Sequence, residues 1–433
     1  MIRCLLTISE QDAADAMTGT VFDEVFLWSR SAKSTFTGTL SPYLECLGKV
    51  NPRNVDLVRI ALGVLAADRS VQREGGGASW NTRSFELHVE VGDPDIWARE
   101  ASNLATLVGF LTGDRWSFEF KQAVADDLDP PQIEELDFQR TVLLSGGADS
   151  ATGALISALE LADDTSQALV SQYSSTALSP IQQGLVEAIV GHAPKIREVH
   201  HQFHLNRGTR RLDGTTFRNE TSTRSRSLLF LALGLAVAQP AAVPLLIPEN
   251  GFASLNPPLG ADRRGALSTH TTHPRFLRDL QALVERIGGH GRISNPFERM
   301  TKGEMFTRLR DGIGRGPASV YLSATNSCSH TDARYSGAPP GSSCGVCFGC
   351  LVRRASFAAA DIPDATEYLC DDTTGRFSGF VRQKSVVEPM RDFADRGIRA
   401  RDIMVMSLPP DYPASDALDV CRRGISELRS FLS

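Results

Sequence analysis

Ser145-Gly146-Gly147-Ala148-Asp149-Ser150 follows the apolar run Thr141-Val142-Leu143-Leu144 and precedes Ala151-Thr152-Gly153-Ala154-Leu155-Ile156-Ser157-Ala158-Leu159, whose apolar residues recur at helical spacing. The order reads as strand, glycine loop, helix. Such a turn aims several backbone N–H groups and a helix N-terminus at one spot, where an anion is favoured. Two adjacent glycines let the backbone approach a phosphate that a Cβ would hold off. Ser145 and Ser150 add hydroxyl donors, and Asp149 is suited to hold a Mg2+ ion that neutralises phosphate charge. The loop is too short for the G-x-x-x-x-G-K-[ST] pattern, and no lysine follows its glycines.

Length and charge narrow the surroundings of this loop. With 433 residues the chain can bury at least one large core and is expected to divide into several domains. A net charge of −6 argues against a nucleic-acid coat or a membrane-surface binder. No apolar window reaches transmembrane length, the stretch 228–238 being too short. Met1-Ile2-Arg3-Cys4-Leu5-Leu6 lacks the layout of a signal peptide and reads as a first strand, so a cytoplasmic location is expected.

From Phe138 onward strands and helices alternate, which predicts an α/β domain with a parallel sheet. Strands are expected at 140–144, 168–172, 197–203 and 243–247, and helices at 149–161, 180–190, 225–238 and 274–287. Ligands of such sheets sit beyond the carboxyl ends of the strands, where the glycine loop falls. Residues 1–137 read as a smaller α+β domain and possible partner dock: a helix over 55–67, a polar Gly-rich loop over 70–83, an alternating strand over 85–91, a helix over 93–111 and a second alternating run over 115–120. The acidic stretch 126–135, with Pro130-Pro131, reads as a linker. The expected blocks are thus 1–137, an ATP-binding domain over 138–325, a cysteine segment over 326–360 and a C-terminal extension over 361–433 with helical patterns and no nameable chemistry.

Eight cysteines are present. Cys4, Cys46, Cys370 and Cys421 are scattered and read as isolated buried thiols, whereas Cys328, Cys344, Cys347 and Cys350 fall in one short loop-rich window. Four soft ligands there suit tetrahedral Zn2+ at about 2.3 Å per sulfur, a closed site with a structural role. Zinc binding is worth roughly 10–16 kcal/mol in small modules, enough to hold a loop that lacks its own core. An iron–sulfur cluster is the competing reading of C-x-x-C-x-x-C.

The hexapeptide resembles the S-G-G-x-D-S loop of PP-loop ATP pyrophosphatases of the HUP type. Combined with the cysteine cluster, it resembles one branch, the 7-cyano-7-deazaguanine synthases (QueC), over about residues 139–360. Thr223-Arg224-Ser225-Arg226-Ser227-Leu228-Leu229-Phe230-Leu231-Ala232 resembles the family's V-P-x-R-N-x-x-F-L-S helix start. Asn295-Pro296-Phe297-Glu298-Arg299-Met300-Thr301-Lys302-Gly303-Glu304 resembles its P-[LF]-x-x-x-[ST]-K-x-E segment, and Glu249-Asn250-Gly251 stands where a loop near the second substrate is expected. The resemblance implies adenylation of a 7-deazaguanine carboxylate by ATP with release of pyrophosphate, then capture by ammonia and dehydration to the nitrile. It implies that Ser145, Gly146, Gly147, Asp149 and Ser150 hold pyrophosphate and Mg2+, that Tyr173 contacts the adenosine, and that Arg226 and Lys302 neutralise phosphate charge.

The departures are equally specific. The family's Y-P-D-C-R-P-E-F substrate segment stands here as Thr269-His270-Thr271-Thr272-His273-Pro274-Arg275-Phe276, with Thr271 at the acidic position and His270 and His273 placed for ligand contact. The family has no counterpart to residues 1–137 or to the tail after 361. That layout resembles the QueC-like QatC group of antiphage operons, which also encode an ATPase, a small partner and a TatD-like nuclease. It implies a deazaguanine coupled to the amine of a small partner protein. Competing readings are a tRNA-modifying PP-loop enzyme and a non-catalytic nucleotide-gated adaptor. Direct nucleic-acid binding is not supported, since the basic stretch Arg207, Arg210, Arg211, Arg218, Arg224, Arg226 lacks stacking aromatics. That stretch reads either as a solvated mobile loop or as a triphosphate lid or partner contact. His200, His201 and His204 offer a weaker metal reading.

Overall fold

A computed structural model describes residues 1–73, 81–124, 138–173, 177–257, 270–330, 333, 336–371 and 375–433. The linker expected at 126–135, half of the 70–83 loop and Thr269 lie outside the described residues. The strands among the described residues are β1 (Ile2–Thr7), β2 (Glu24–Leu27), β3 (Phe36–Gly38), β4 (Ser84–Val91), β5 (Arg115–Gln122), β6 (Arg140–Leu143), β7 (Ser166–Tyr173), β8 (Arg197–Arg207), β9 (Leu245–Leu246) and β10 (Ile293–Ser294). Every strand expected from the sequence is present, with ends shifted by a few residues. The chain forms two compact units, one of Met1–Thr141, Phe203–Leu245 and Arg264–Ile293, the other of Val142–Gln202, Leu246–Arg263 and Ser294–Ser433. These units are discontinuous, unlike the four consecutive blocks drawn from the sequence.

In the first unit the sheet runs β2-β1-β4-β5, and each neighbouring pair is parallel. The α+β arrangement expected for residues 1–137 is therefore corrected to α/β. Alternating side chains show where a strand lies but not which way its partner runs. The helices Glu10–Thr18 and Pro94–Thr112 supply the crossovers that parallel neighbours need. The helix Pro52–Ser70 starts where Asn51 accepts the Arg53 N–H at 2.9 Å and Pro52 takes the first position. It is buried nearly all round, lying against β4 and the helix Arg226–Ala238.

Burying that helix also buries Asp68. Its carboxylate accepts from the Arg224 N–H (2.9 Å), the Ser225 N–H (3.1 Å) and the Ser225 hydroxyl (2.7 Å), satisfying the start of the helix Arg226–Ala238. Arg83 lies 2.5 Å from Asp68 and 2.6 Å from Asp114, and Arg73 lies 2.7 Å from Asp114. Those arginines and bonds outweigh burial and hold the Asp68 carboxyl below its ordinary range.

In the six-stranded sheet the order is β10-β9-β6-β7-β8-β3. β6, β7 and β8 are consecutive neighbours joined by the helices Ala148–Leu159 and Leu178–His192, the connection of a parallel sheet. The chain then continues to β9 on the other flank of β6. The end of β6 is therefore a topological switch point, where open α/β sheets bind ligands. β3 joins β8 antiparallel.

In the second unit Val142, Leu144, Leu155, Leu169 and Ile189 share one core with Phe306 and Phe357. A Cβ on Gly153 would lie 2.1 Å from Pro248 Cβ, so glycine is what lets the helix Ala148–Leu159 approach the segment after β9. The C-terminal stretch is integral: Phe252 and Leu351 are buried with Met390, Phe393, Val420, Ile425 and Leu428 of the helices Val387–Arg396 and Ala414–Leu432. Among the described residues no helix is long and apolar enough to cross a membrane.

Asp68→Ala removes one of the two carboxylates that pair with buried Arg83 and uncaps the helix Arg226–Ala238. The expected loss is about 3–5 kcal/mol, read from the shift in a urea unfolding midpoint.

Candidate active site and metal centre

Leu144 ends its strand by donating its N–H to Val170 O at 2.7 Å. Gly146 then takes φ +93°, a conformation that disfavours any side chain. Ser150 Oγ donates to Gly147 O (3.0 Å) and accepts the Ser145 N–H (3.1 Å). With that proton committed, the Ser145 hydroxyl is the donor in the 2.9 Å contact between the two side chains. Ser145 Oγ also accepts the Gly147 N–H at 3.2 Å. The ring of bonds fixes the turn, and Gln182 Nε2 braces it by donating to Ser145 O at 3.1 Å. Gly147 caps the helix Ala148–Leu159 without a side chain, and beyond the Ala148 N–H, which Ser327 Oγ takes, the first turn offers N–H groups to an anion.

Charge gathers in that first turn. Asp149 Oδ2 lies 2.6 Å from Lys302 Nζ, with the two side chains 11% and 7% exposed. Asn250, which follows β9, donates from Nδ2 to Asp149 Oδ1 (3.1 Å) and to Glu249 Oε1 (3.3 Å). Burial and then the Asp149 charge push the Glu249 carboxyl well above its ordinary range, opposed by Lys302. Asn250 Nδ2 thus lies between the two carboxyl groups and bonds to both. Two adjoining carboxyl groups are the hard oxygen donors that a divalent cation takes, so the set fits Mg2+.

Lys302 opens the helix Lys302–Ile313, which starts in a capping box: Thr301 Oγ accepts the Glu304 N–H at 3.1 Å, and Glu304 accepts the Thr301 N–H at 2.9 Å. A residue missed by the sequence reading completes this start. Glu427, from the C-terminal helix, accepts from the Thr301 hydroxyl and from the Gly303 N–H (3.3 Å), on either side of Lys302. A Cβ on Gly303 would lie 2.6 Å from Glu427 Oε1. Arg423, one turn earlier, pairs with Glu304. No local signal marks Glu427, since its partners are more than a hundred residues away in sequence.

The sulfurs of Cys328, Cys344, Cys347 and Cys350 all lie within 4.8 Å of one another, and Cys344 Sγ is 3.9 Å from Cys350 Sγ. A tetrahedron with about 2.3 Å bonds sets its sulfurs about 3.8 Å apart, so the quartet fits a single ion. A multi-iron cluster, with several irons inside the ligand shell, requires wider spacing. Backbone N–H groups already face the sulfurs: His330 and Cys344 donate to Cys328 Sγ (each 3.4 Å), and Cys347 donates to Cys344 Sγ (3.3 Å). The centre adjoins the glycine loop along the chain. Asn326 N–H donates to Gly146 O at 2.9 Å, Ser327 Oγ accepts the Ala148 N–H at 3.3 Å, and Cys328 follows directly.

The structure thus brings together Ser145, Gly146, Gly147, Asp149, Ser150, Glu249, Asn250 and Lys302. Tyr173 is the last residue of β7. Arg226, Thr271 and His273 belong to the first unit. There Arg226 opens its helix, and His273 caps the helix Pro274–Arg286 by accepting the Arg275 N–H at 3.2 Å. His270 stacks on Phe110 with ring centroids 4.3 Å apart. Three expectations are corrected. Among the described residues the four cysteines are the one group of three or more metal-ligating side chains, and His200 instead bonds Ser171 Oγ at 2.9 Å. Cys46 is exposed and Cys370 half-buried, so only Cys4 and Cys421 of the scattered set are core thiols. Arg207 and Arg224 are buried, not part of a solvated loop.

No family model matches the chain. Part of it is similar to curated 7-cyano-7-deazaguanine synthases. The protein of Cupriavidus taiwanensis is 40% identical over 92 residues, 21% of this chain and 35% of that one. The relative in Desulfatibacillum aliphaticivorans is 29% identical over 153 residues, 34% and 57% of the two chains. That of Novosphingobium aromaticivorans is 30% identical over 151 residues, 34% and 56%. The chain spans about a third to just over half the length of these relatives.

Two measurements follow. Burial, aided by Glu304 and opposed by the bonds from Thr301 and Gly303 and by Arg423, raises the Glu427 carboxyl from 4.5 to about 7. The folded chain then holds that proton more tightly than the unfolded one, so this group's stabilisation fades as pH rises from 4.5 to about 7. Only the ionised carboxylate accepts on both sides of Lys302. Turnover of ATP is expected to rise through about pH 7, and Glu427→Gln is expected to flatten that limb while becoming more stable relative to the parent as pH increases. Separately, metal analysis is expected to find one ion per chain. Stripping it with a chelator is expected to lower the melting temperature and weaken nucleotide binding, because Asn326 and Ser327 hold the loop.

Proposed function

We propose that the chain is an ATP-dependent C–N ligase of the 7-cyano-7-deazaguanine synthase type, forming AMP and pyrophosphate, with a Cys4 zinc knuckle as its structural metal. The observation that carries this reading is the Asp149–Lys302–Asn250–Glu249 cluster at the mouth of a glycine loop on a sheet switch point. The N–H groups that start the helix Ala148–Leu159 bind the β- and γ-phosphates, and Lys302 meets the charge that develops on departing pyrophosphate. Asp149 and Glu249 would hold Mg2+, which supplies further charge neutralisation. A substrate carboxylate oxygen bonds to the α-phosphorus as the bond from that phosphorus to the bridging oxygen breaks, and pyrophosphate leaves. An amine nitrogen then bonds to the acyl carbon, AMP leaves and the nitrogen loses a proton to solvent.

The acid is a 7-carboxy-7-deazaguanine, by similarity to the synthases. Ammonia gives an amide, which a second ATP dehydrates to the nitrile. A small protein partner gives a conjugate, the QatC-like reading for antiphage defence. Thr271 in place of an acidic residue, and the added residues 1–137, favour the larger amine.

Incubation with ATP and the deazaguanine acid is expected to yield AMP and pyrophosphate. Lys302→Met is expected to lower kcat by about a hundredfold or more, measured below its own melting temperature, which falls because Asp149 loses its partner. Release of ADP and phosphate overturns the ligase reading. Mass added to a partner protein supports conjugation, and free nitrile alone overturns that arm.

A further inference from the structure

The basic stretch singled out in the sequence contributes to an unusual cluster within the first unit. Arg69, near the end of the helix Pro52–Ser70, and Arg207, the last residue of β8, both donate to one neutral oxygen. Arg69 Nε lies 3.0 Å and Arg207 Nη2 3.3 Å from Asn219 Oδ1. Arg69 also donates to Asn206 Oδ1, and Arg207 to the carbonyls of Gly208 (2.6 Å) and Arg218 (3.1 Å). Arg207 is 4% exposed, and its buried Nε has no hydrogen-bond partner. A third guanidinium, of Arg211, shares the Phe217 ring with Arg207, at 4.8 and 4.6 Å from the centroid. The carboxylate present, Glu24, is engaged by Arg211 at 2.5 Å. Among the described residues neither Arg69 nor Arg207 forms an ion pair.

Two other arginines of this unit are arranged differently: Arg73 and Arg83 are matched by Asp68 and Asp114. Burial and then the Arg69 charge push Arg207 down to about 10, and burial with Arg226 lowers Arg69. The cluster therefore holds positive charge that its own side chains leave uncompensated. Asn219 and Arg218 are exposed, so solutes reach it from solvent.

We propose that Arg69 and Arg207, with Asn219 between them, form a binding site for a phosphate group carrying two or more negative charges. A tetrahedral oxyanion accepts from several N–H groups at once, which the single amide oxygen cannot do, and guanidinium forks match that geometry. The site is made from residues of the first unit alone and goes beyond the ligase reading.

The probe is inorganic pyrophosphate, titrated calorimetrically into the full chain at fixed ionic strength. The background is Gly146→Val, which removes the left-handed turn of the glycine loop, or Lys302→Met should that variant not melt cooperatively. Asn219→Asp, at an exposed position, installs a carboxylate between the arginines. It is expected to raise the melting temperature and to weaken pyrophosphate at least about tenfold, as Arg69→Met weakens it. AMP in a parallel titration distinguishes a nucleotide phosphate from an inorganic one, since binding of AMP at the same site assigns the former. Pyrophosphate binding within twofold of the parent in both Asn219→Asp and Arg69→Met, or no binding to the background chain at millimolar concentration, overturns the site. Loss of pyrophosphate binding on going from wild type to Gly146→Val reports on the glycine loop instead, and leaves the two readings separable.

Discussion

The second unit is organised around one ion pair, Asp149 with Lys302. Neither charge is tolerable alone where it sits, since an unpartnered buried ion costs several kcal/mol. Each is therefore built in from both sides. Asp149 is carried by the first turn of a helix whose start is fixed by Ser145, Ser150 and Gln182. Lys302 is carried by a second helix whose start is fixed by a capping box and by Glu427. Asn250 ties the segment after β9 to the same carboxylate. The pair thus sets where two helices and three loops end, and those ends are the surfaces on which a triphosphate would lie.

The cysteine quartet serves a related purpose by different physics. The stretch from 326 to 347 has few apolar residues to fold around, and four cysteine sulfurs gathered about one point, where a metal ion would sit, stand in for a hydrophobic core. Because Asn326 and Ser327 bond the glycine loop, order in this stretch is order in the loop. Arg353 shows how closely the rest is fitted: fully buried, it donates to the carbonyls of Thr325 (2.9 Å) and Leu322 (2.8 Å) just before the first cysteine.

What could be read from sequence was what is local. The glycine hexapeptide carries strand, turn and helix within one short window, and C-x-x-C-x-x-C places three ligands within seven residues. The strand positions followed from apolar patterning for the same reason. Non-local facts escaped. Alternation in 85–91 and 115–120 could not tell parallel from antiparallel pairing, so the first unit was misassigned. Arginines in a polar stretch read as solvated, because their burial depends on Phe217 and on Arg69 from another element. Glu427 looked like one of many acids on an amphipathic helix until the fold brought it to Thr301 and Gly303.

That last contact has a bearing on how the protein is made. Thr301 and Glu427 are 126 positions apart, and a ribosome delivers them in that order. The glycine turn, the lysine and the thiolates all emerge first, with the brace across the lysine still to come. The start of the lysine's helix is therefore completed only once the helical tail has been synthesised and has docked.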